Sequence, residues 1–184
     1  MRIGVIGLCG FTMDFVNKAV DAGHQVLLSS TRENRQFQDL EMKLGENVKL
    51  VTRREAAEAN ILILFIPRED VGMFLTDLPD MDEKILIHAS NPIFSLECLR
   101  PNSKASCEII ASLLPEAHMI KVLNIVNPNV LTLLNQKHKE KEVFYVGGNE
   151  QAKNKAKAFF KSLNLDGVDF EELYQLPVHS CFMN

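Results

Sequence analysis

Two rhythms of apolar and polar residues alternate along this chain. Short runs such as "IGVIG", "NILILFIP" and "EKILIHAS" are apolar at nearly every position, the pattern of strands buried on both faces. Between them, apolar residues recur three and four apart. In "FTMDFVNKAVDAG", Phe11, Phe15, Val16 and Ala19 share one helical face, and Gly23 follows as a C-terminal cap. The pattern predicts strand 3–7, helix 11–23, strand 24–30, a helix over 33–45 ending at Gly45, strand 47–51 and a short helix at 53–59. It continues with strand 60–67, a turn and helix over 68–78, strand 83–90 broken by Asn91-Pro92, and a helix over 103–115 with Pro115 at its end. Strand 117–124, a helix from 127 with Pro128 near its first turn, and strand 142–148 come next. A long helix over 149–164, with Asn149 as N-cap and Glu150 at its positive end, leads to a short last strand at 166–170.

Such alternation predicts an α/β fold: a doubly wound, mostly parallel, Rossmann-like sheet in a single domain over residues 1–175. Residues 176–184 read as a C-terminal tail. No repeat, low-complexity stretch or internal linker interrupts the pattern.

Composition narrows the function. A chain of 184 residues, 46% hydrophobic, is long enough for one sizeable core. Its net charge of -4 argues against general nucleic-acid binding, and the densest charged run, "QKHKEKE", mixes both signs. Cys9, Cys98, Cys107 and Cys181 form no CxxC pair, so no zinc site is expected, and reduced thiols suit a cytoplasmic protein. The first apolar run ends at a glycine turn, unlike a signal peptide. No apolar run approaches the roughly 20 residues of a membrane span, so no transmembrane segment is expected.

The candidate chemistry lies first in the turn after the opening strand, Gly7-Leu8-Cys9-Gly10-Phe11-Thr12. A dinucleotide fingerprint places glycine at the first, third and sixth of these positions. Here Gly7 keeps the tight turn, Cys9 and Thr12 replace the other two, and Gly10 adds freedom one place later. The following helix start still offers free N–H groups and a positive dipole end, which suit phosphate. Taken alone, the loop fits a working nucleotide site and an empty turn equally well. The tip of the second strand shifts that balance. "LLSSTRENR" has no acid for a ribose hydroxyl; Ser29, Ser30 and Thr31 are small donors and Arg32 suits a 2′-phosphate, favouring NADPH over NADH.

With these pieces in place, the chain resembles a known family. "MRIGVIG", "GHQVLLSSTRE", "ILIHASNP", "IKVLNIV" and "VGGNEQAKNKAKAFFKSLNLDGVDF" follow the order and spacing of the NADP oxidoreductases that use a deazaflavin. Within them it looks most like the cytosolic reductase domain of the STEAP metalloreductases, through "CEIIASLLPEAHMIKVLNIV" and "FIPRED". The resemblance spans about residues 1–175. It implies that Gly7, Leu8, Cys9, Gly10, Phe11 and Thr12 face the NADPH pyrophosphate. Ser30, Thr31 and Arg32 would hold the 2′-phosphate, with Arg32 matching either the family's arginine or the residue after it. Phe65, Ile66 and Pro67 would run along the cofactor. Ser90, Asn91 and Pro92 would approach the nicotinamide and a flavin-type partner, with Lys121 and Asn124 near the same cleft. The implied activity is hydride transfer from NADP(H) to a flavin (FAD or FMN) or a deazaflavin, and onward to ferric or cupric ion.

Hydride transfer asks the protein chiefly to place two rings and exclude water, so no catalytic acid or base is nominated. The chain departs from the family at Cys9, and at Asp70-Val71, where the metalloreductase domain has His-Tyr. These departures sustain a rival reading: a non-catalytic regulatory or interaction protein with weakened nucleotide binding. A second copy of the chain is a candidate partner, able to complete an open flavin site. Elsewhere, His88 reads as a buried, hydrogen-bonded histidine where the family has Asp. His118 reads as structural or exposed, and Cys107 and Phe159-Phe160 as core. Cys9, at a helix start, is the one thiol whose pKa the sequence would lower.

Overall fold

The reach of each strand fixes where loops fall, and so where a ligand can bind. In the computed structural model, residues 1–8, 10–30, 44–66, 70–90, 106–123 and 142–174 are described, with the backbone alone at 10, 11, 89, 90, 106, 107, 173 and 174. The elements are β1 (Arg2–Ile6), α1 (Gly10–Asp21), β2 (Gln25–Ser29), β3 (Val48–Leu50), α2 (Arg53–Ala56), β4 (Ile61–Leu64) and α3 (Val71–Leu75). They continue with β5 (Ile85–Ser90), α4 (Ser106–Leu113), β6 (His118–Leu123), β7 (Glu142–Gly147), α5 (Glu150–Ser162), β8 (Asp166–Asp169) and α6 (Phe170–Tyr174).

The eight strands form one sheet in the order β3-β2-β1-β4-β5-β6-β7-β8. The first six run parallel, as buried runs joined by helical crossovers require. β7 is antiparallel to β6, and β8 is parallel to β7. Hydrophobic pattern carries no strand direction, so the sequence could not show this reversal. It turns the carboxyl ends of β7 and β8 to the opposite edge of the sheet from those of β1 to β6.

Side chains alternate across the sheet and build two cores. Ile3, Val5, Val26, Ile63 and Ile87 meet Phe15, Val16 and Ala19 of α1 and Ala156, Phe159 and Phe160 of α5 on one face. Ile6, Leu27, Leu62, Leu64 and Leu86 meet Ala56 of α2, Val71 and Phe74 of α3 and Ile110 of α4 on the other. Phe159 and Phe160 are thus core, as their spacing predicts.

The expected helix ends hold. Gly23 adopts a φ of 75°, the left-handed cap that closes α1, and Gly45 is also left-handed, at 83°. Asn149 caps α5 by accepting a hydrogen bond from the Ala152 N–H at 2.9 Å. Two elements differ from expectation. The last strand stops at Asp169, and Phe170 starts α6 instead, because the Asp169 carboxylate accepts from the Glu171 N–H at 3.0 Å and turns the chain. The predicted helices over 33–45 and from 127 lie almost wholly outside the described residues. No helix among the described residues is long and apolar enough to cross a membrane.

Candidate functional site at the carboxyl edge of the parallel strands

β1 is flanked by β2 on one side and β4 on the other, and the chain winds outward in both directions from that pair. Ligands of open α/β sheets bind in the crevice above such a reversal, at the carboxyl ends of the strands. The loop that opens there begins at Gly7.

Gly7 is confined on all sides. Its φ is 87°, a left-handed conformation, and a Cβ there would sit 1.8 Å from the Phe65 carbonyl oxygen. Its N–H donates to the Ser29 carbonyl at 3.0 Å, while the Phe65 N–H donates to the Ile6 carbonyl at 2.9 Å. The ends of β2, β1 and β4 are thereby tied together by backbone alone. The turn needs glycine for the protein's own packing, and it delivers the chain into α1 at Gly10, three residues later.

The first turn of α1 carries no acidic residue, so nothing within that turn opposes the positive end of the helix dipole. Thr12 is fully buried, at 0% exposure, where the fingerprint has its third glycine. The helix therefore packs on the sheet with a side chain between them, and the substitution is accommodated. Leu8 is half-buried against the α1-side core. Cys9 and the side chain of Phe11 lie outside what is described.

The other expected site residues are brought to the same edge as far as they are described. Ser30 follows the end of β2 and is half-buried. Phe65, half-buried, and Ile66, buried, leave β4 beside the Gly7 turn. Ser90 is the last residue of β5 and pairs with Leu123, the last of β6. Lys121 lies two residues inside the end of β6, so it belongs to the sheet face more than to the loops. Thr31, Arg32, Pro67, Asn91, Pro92 and Asn124 lie outside the described residues.

One polar row crosses the sheet just below this edge. Ser29, Ile6, Leu64, His88, Lys121 and Val146 are register partners in turn, so their side chains share one face. Ser29 is buried, and His88 is buried to 1% exposure. The His88 Nδ1 lies 3.3 Å from the Leu64 carbonyl, whereas its Nε2 is buried without a partner among the described residues. Burial, opposed by the Leu64 hydrogen bond and aided by the Lys121 charge, pushes its pKa down to about 4. The ring is neutral near pH 7, and the Leu64 carbonyl requires the proton on Nδ1. The expectation for His88 is thus met at one nitrogen only. His118 is half-buried and lies 3.6 Å from Glu83.

The opposite edge carries a different cluster that periodicity does not reveal. Lys153 lies in the first turns of α5, 7% exposed, with its ammonium 2.5 Å from Glu150, 2.8 Å from Asp169 and 3.6 Å from Glu171. Burial alone would lower the Lys153 pKa, but the hydrogen bonds it donates to Asp169 and Glu150, and their charges, hold it above the ordinary range. Burial, then the charges of Asp169 and Glu172, pushes Tyr145 up to about 12. A groove of about 710 Å³ opens at this same edge, between the end of α4 and the start of β6, rimmed by Asp82, Glu83, Glu108 and Glu116. Neither feature touches the β1–β4 crevice. Among the described residues, no group of three or more His, Cys, Asp or Glu is placed to hold a metal ion.

Comparison with known proteins agrees with this geometry. The chain aligns with the hypothetical protein SMa0349 from Sinorhizobium meliloti at 22% identity and a TM-score of 0.72, over 92% of this chain and 84% of that one. A protein from Arthrobacter sp. FB24, assigned as an F420-dependent NADP-reductase, aligns at 23% identity and a TM-score of 0.70 over the same shares. An imine reductase from Pseudomonas sp. aligns at 15% identity and a TM-score of 0.63, over 92% of this chain and 54% of that one. These likenesses establish the fold. No curated protein matches the chain. Residues 2–92, which run from β1 past the end of β5 and enclose the crevice, match the family model described as NADP oxidoreductase, coenzyme F420-dependent.

Proposed function

We propose that the chain binds NADP(H) across the carboxyl edge of β2, β1, β4 and β5 and passes hydride to a flavin-type acceptor. The observation that carries this reading is the Gly7 turn at the strand-order reversal, which presents an acid-free helix start to the crevice. Support comes from the NADP oxidoreductase match over the residues that enclose it.

The residues suit the cofactor in kind. The N–H groups of α1 suit a pyrophosphate. Ser30, Thr31 and Arg32, with no acid beside them, suit a 2′-phosphate rather than a free ribose hydroxyl. Phe65, Ile66 and Pro67 offer an apolar wall, and Ser90, Asn91 and Asn124 polar groups at the nicotinamide end, with Pro92 next to Asn91. NADPH supplies the hydride; the protein's part is to align donor and acceptor and to exclude water. The family's description and the Arthrobacter neighbour favour a deazaflavin as acceptor. FAD or FMN is the alternative of the same class, and delivery of its electrons to two ferric or cupric ions, one each, is the metalloreductase form of the reading.

Fluorescence titration with NADPH and NADH, followed by NADPH oxidation with added FMN, FAD or a deazaflavin, tests this directly. NADPH preference and acceptor-dependent oxidation are expected. Absence of binding by either nucleotide at millimolar concentration overturns it. Adding ferric citrate or a cupric salt to the flavin reaction tests the metal step separately. A non-catalytic role is the second reading, favoured by Cys9 in place of the second glycine. Cys9→Gly is expected to raise NADPH affinity by roughly fivefold, about 1 kcal/mol, if that side chain crowds the pyrophosphate. Unchanged affinity removes Cys9 from the contact.

A further inference from the structure

His88 stands out as the one buried side-chain atom without a partner among the described residues. Its surroundings make the vacancy specific. On β4 its neighbour in register is Leu64 and on β6 it is Lys121, and both lie on its own face of the sheet. The Leu64 carbonyl accepts from Nδ1–H, which leaves Nε2 as a bare lone pair directed away from that carbonyl. Lys121 makes no hydrogen bond to it, and the row's remaining members toward β1 are Leu64 and Ile6, both apolar and fully buried.

A buried acceptor left unpaired costs about 1–3 kcal/mol, so the fold gains nothing from Nε2 as it stands. An apolar side chain would fill the same volume without that cost. The position of the ring offers the reason for it. His88 lies two residues, roughly 7 Å along the strand, before Ser90, the last residue of β5 at the carboxyl edge.

We propose that His88 is a ligand-binding residue of the oxidoreductase site, its Nε2 accepting a hydrogen bond from an N–H or O–H donor at the nicotinamide end of the crevice. The inference rests on the proposed NADP(H)-dependent reading. Two sources carry such a donor: the carboxamide of the nicotinamide, and the hydride acceptor, through a flavin ring N–H or a ribityl hydroxyl. The neutral ring suits either, since an imidazolium has no lone pair left to accept with.

Long-range ¹H–¹⁵N spectra of the histidine side chains in the full chain give the test. Titrated with NADP⁺ and then with FMN, the His88 Nε2 signal is expected to start as an unbonded acceptor. A shift on NADP⁺ assigns the donor to the carboxamide; a shift only after FMN assigns it to the acceptor. A signal already hydrogen-bonded in the free protein places a resident water or protein donor there and overturns the proposal. So does a signal unmoved while both ligands bind by fluorescence. Failure of NADP⁺, NADPH and FMN to bind at all removes the parent reading and this one with it, an outcome distinct from binding without a shift.

Two substitutions separate a binding role from a structural one. His88→Asn keeps an N–H near the position of Nδ1 and loses the acceptor at Nε2. His88→Gln carries an amide oxygen to the position of Nε2. The Asn variant is expected to bind the responding ligand roughly five- to tenfold more weakly and the Gln variant nearly as wild type. Wild-type binding by the Asn variant overturns the proposal, and the spectra of the unaltered protein decide it should that variant not fold.

Discussion

The two edges of this sheet solve opposite problems. At the edge where β1, β2 and β4 end, the chain is held by glycine and backbone hydrogen bonds, and the one buried titratable side chain, His88, is neutral and half-satisfied. At the edge where β7 and β8 end, it is held by buried charge: Lys153 gathers Glu150, Asp169 and Glu171, with one carboxylate available for each ammonium proton. A satisfied ionic cluster fixes the fold and offers nothing to a ligand. An edge made of small residues, an acid-free helix start and an unpaired acceptor leaves hydrogen-bonding capacity open at His88 Nε2. If the proposed site is right, strong charge is a poor guide to it in this molecule, and unfilled polar capacity a better one.

The contrast is broken most sharply at Lys153. Lys153→Met leaves the Asp169 carboxylate, 2% exposed, without its cation and is expected to cost about 3–5 kcal/mol by denaturant unfolding. NADPH affinity of the folded variant should match wild type. A large loss of affinity without loss of stability would make the far edge part of the site. Gly7→Ala comes next, at about 2–4 kcal/mol, from a left-handed dihedral and a side chain driven into the Phe65 carbonyl. Unlike the lysine variant, it should lower nucleotide affinity as well, because it displaces the start of α1.

A smaller effect concerns protons. The His88 pKa is lowered from 6.5 to about 4 on folding, so the unfolded chain binds the proton more readily. Its contribution to stability is full above about pH 6.5 and is lost as the pH falls toward about 4. Between pH 7.5 and pH 5 that loss is about 2 kcal/mol. Glu171, whose pKa is raised by burial and by Asp169 against the pull of Lys153, contributes with the opposite sign. The comparison is therefore made against His88→Gln, which should lose about 2 kcal/mol less than wild type over the same interval. Equal losses would mean that His88 is not the buried neutral ring of the near edge.

Most of the fold and part of this contrast were legible in the sequence. Apolar runs located most of the strands because they are buried, and Gly23 and Asn149 marked helix ends through their own chemistry. The Gly7 turn was legible because its positive φ demands glycine, although the atom it makes room for, the Phe65 oxygen, was not. The reversal of β7 was hidden because apolar alternation is the same in either direction. α6 was hidden because its start is set by the Asp169 carboxylate, which reads as one more strand residue. The Lys153 cluster joins α5, β8 and α6, and no periodicity predicts which charges meet. The orphaned Nε2 needed the register of β4, β5 and β6, since it is the Leu64 carbonyl that takes up the other nitrogen.

The smallest test asks how far the near edge depends on its supports. α2 packs its last residue directly on β1, and a Cβ at Gly4 would fall 2.0 Å from the Ala56 carbonyl oxygen. The helix has four residues and relies on its cap. Thr52 Oγ1 accepts from the Glu55 N–H at 3.2 Å, and the Glu55 carboxylate accepts from the Thr52 N–H at 2.8 Å. Hydrogen bonds from the Thr52 side chain and backbone hold the Glu55 pKa below its usual value. The "T-R-R-E" spacing at 52–55 is itself a capping-box signature. Thr52→Ala is expected to cost about 1 kcal/mol in chemical denaturation. It should leave NADPH affinity within roughly twofold, because the Gly7 turn is tied to Ser29 and Phe65 independently of α2. A greater loss of affinity would show that the near edge takes its shape from α2 packed on Gly4, and not from the backbone bonds that join β2, β1 and β4.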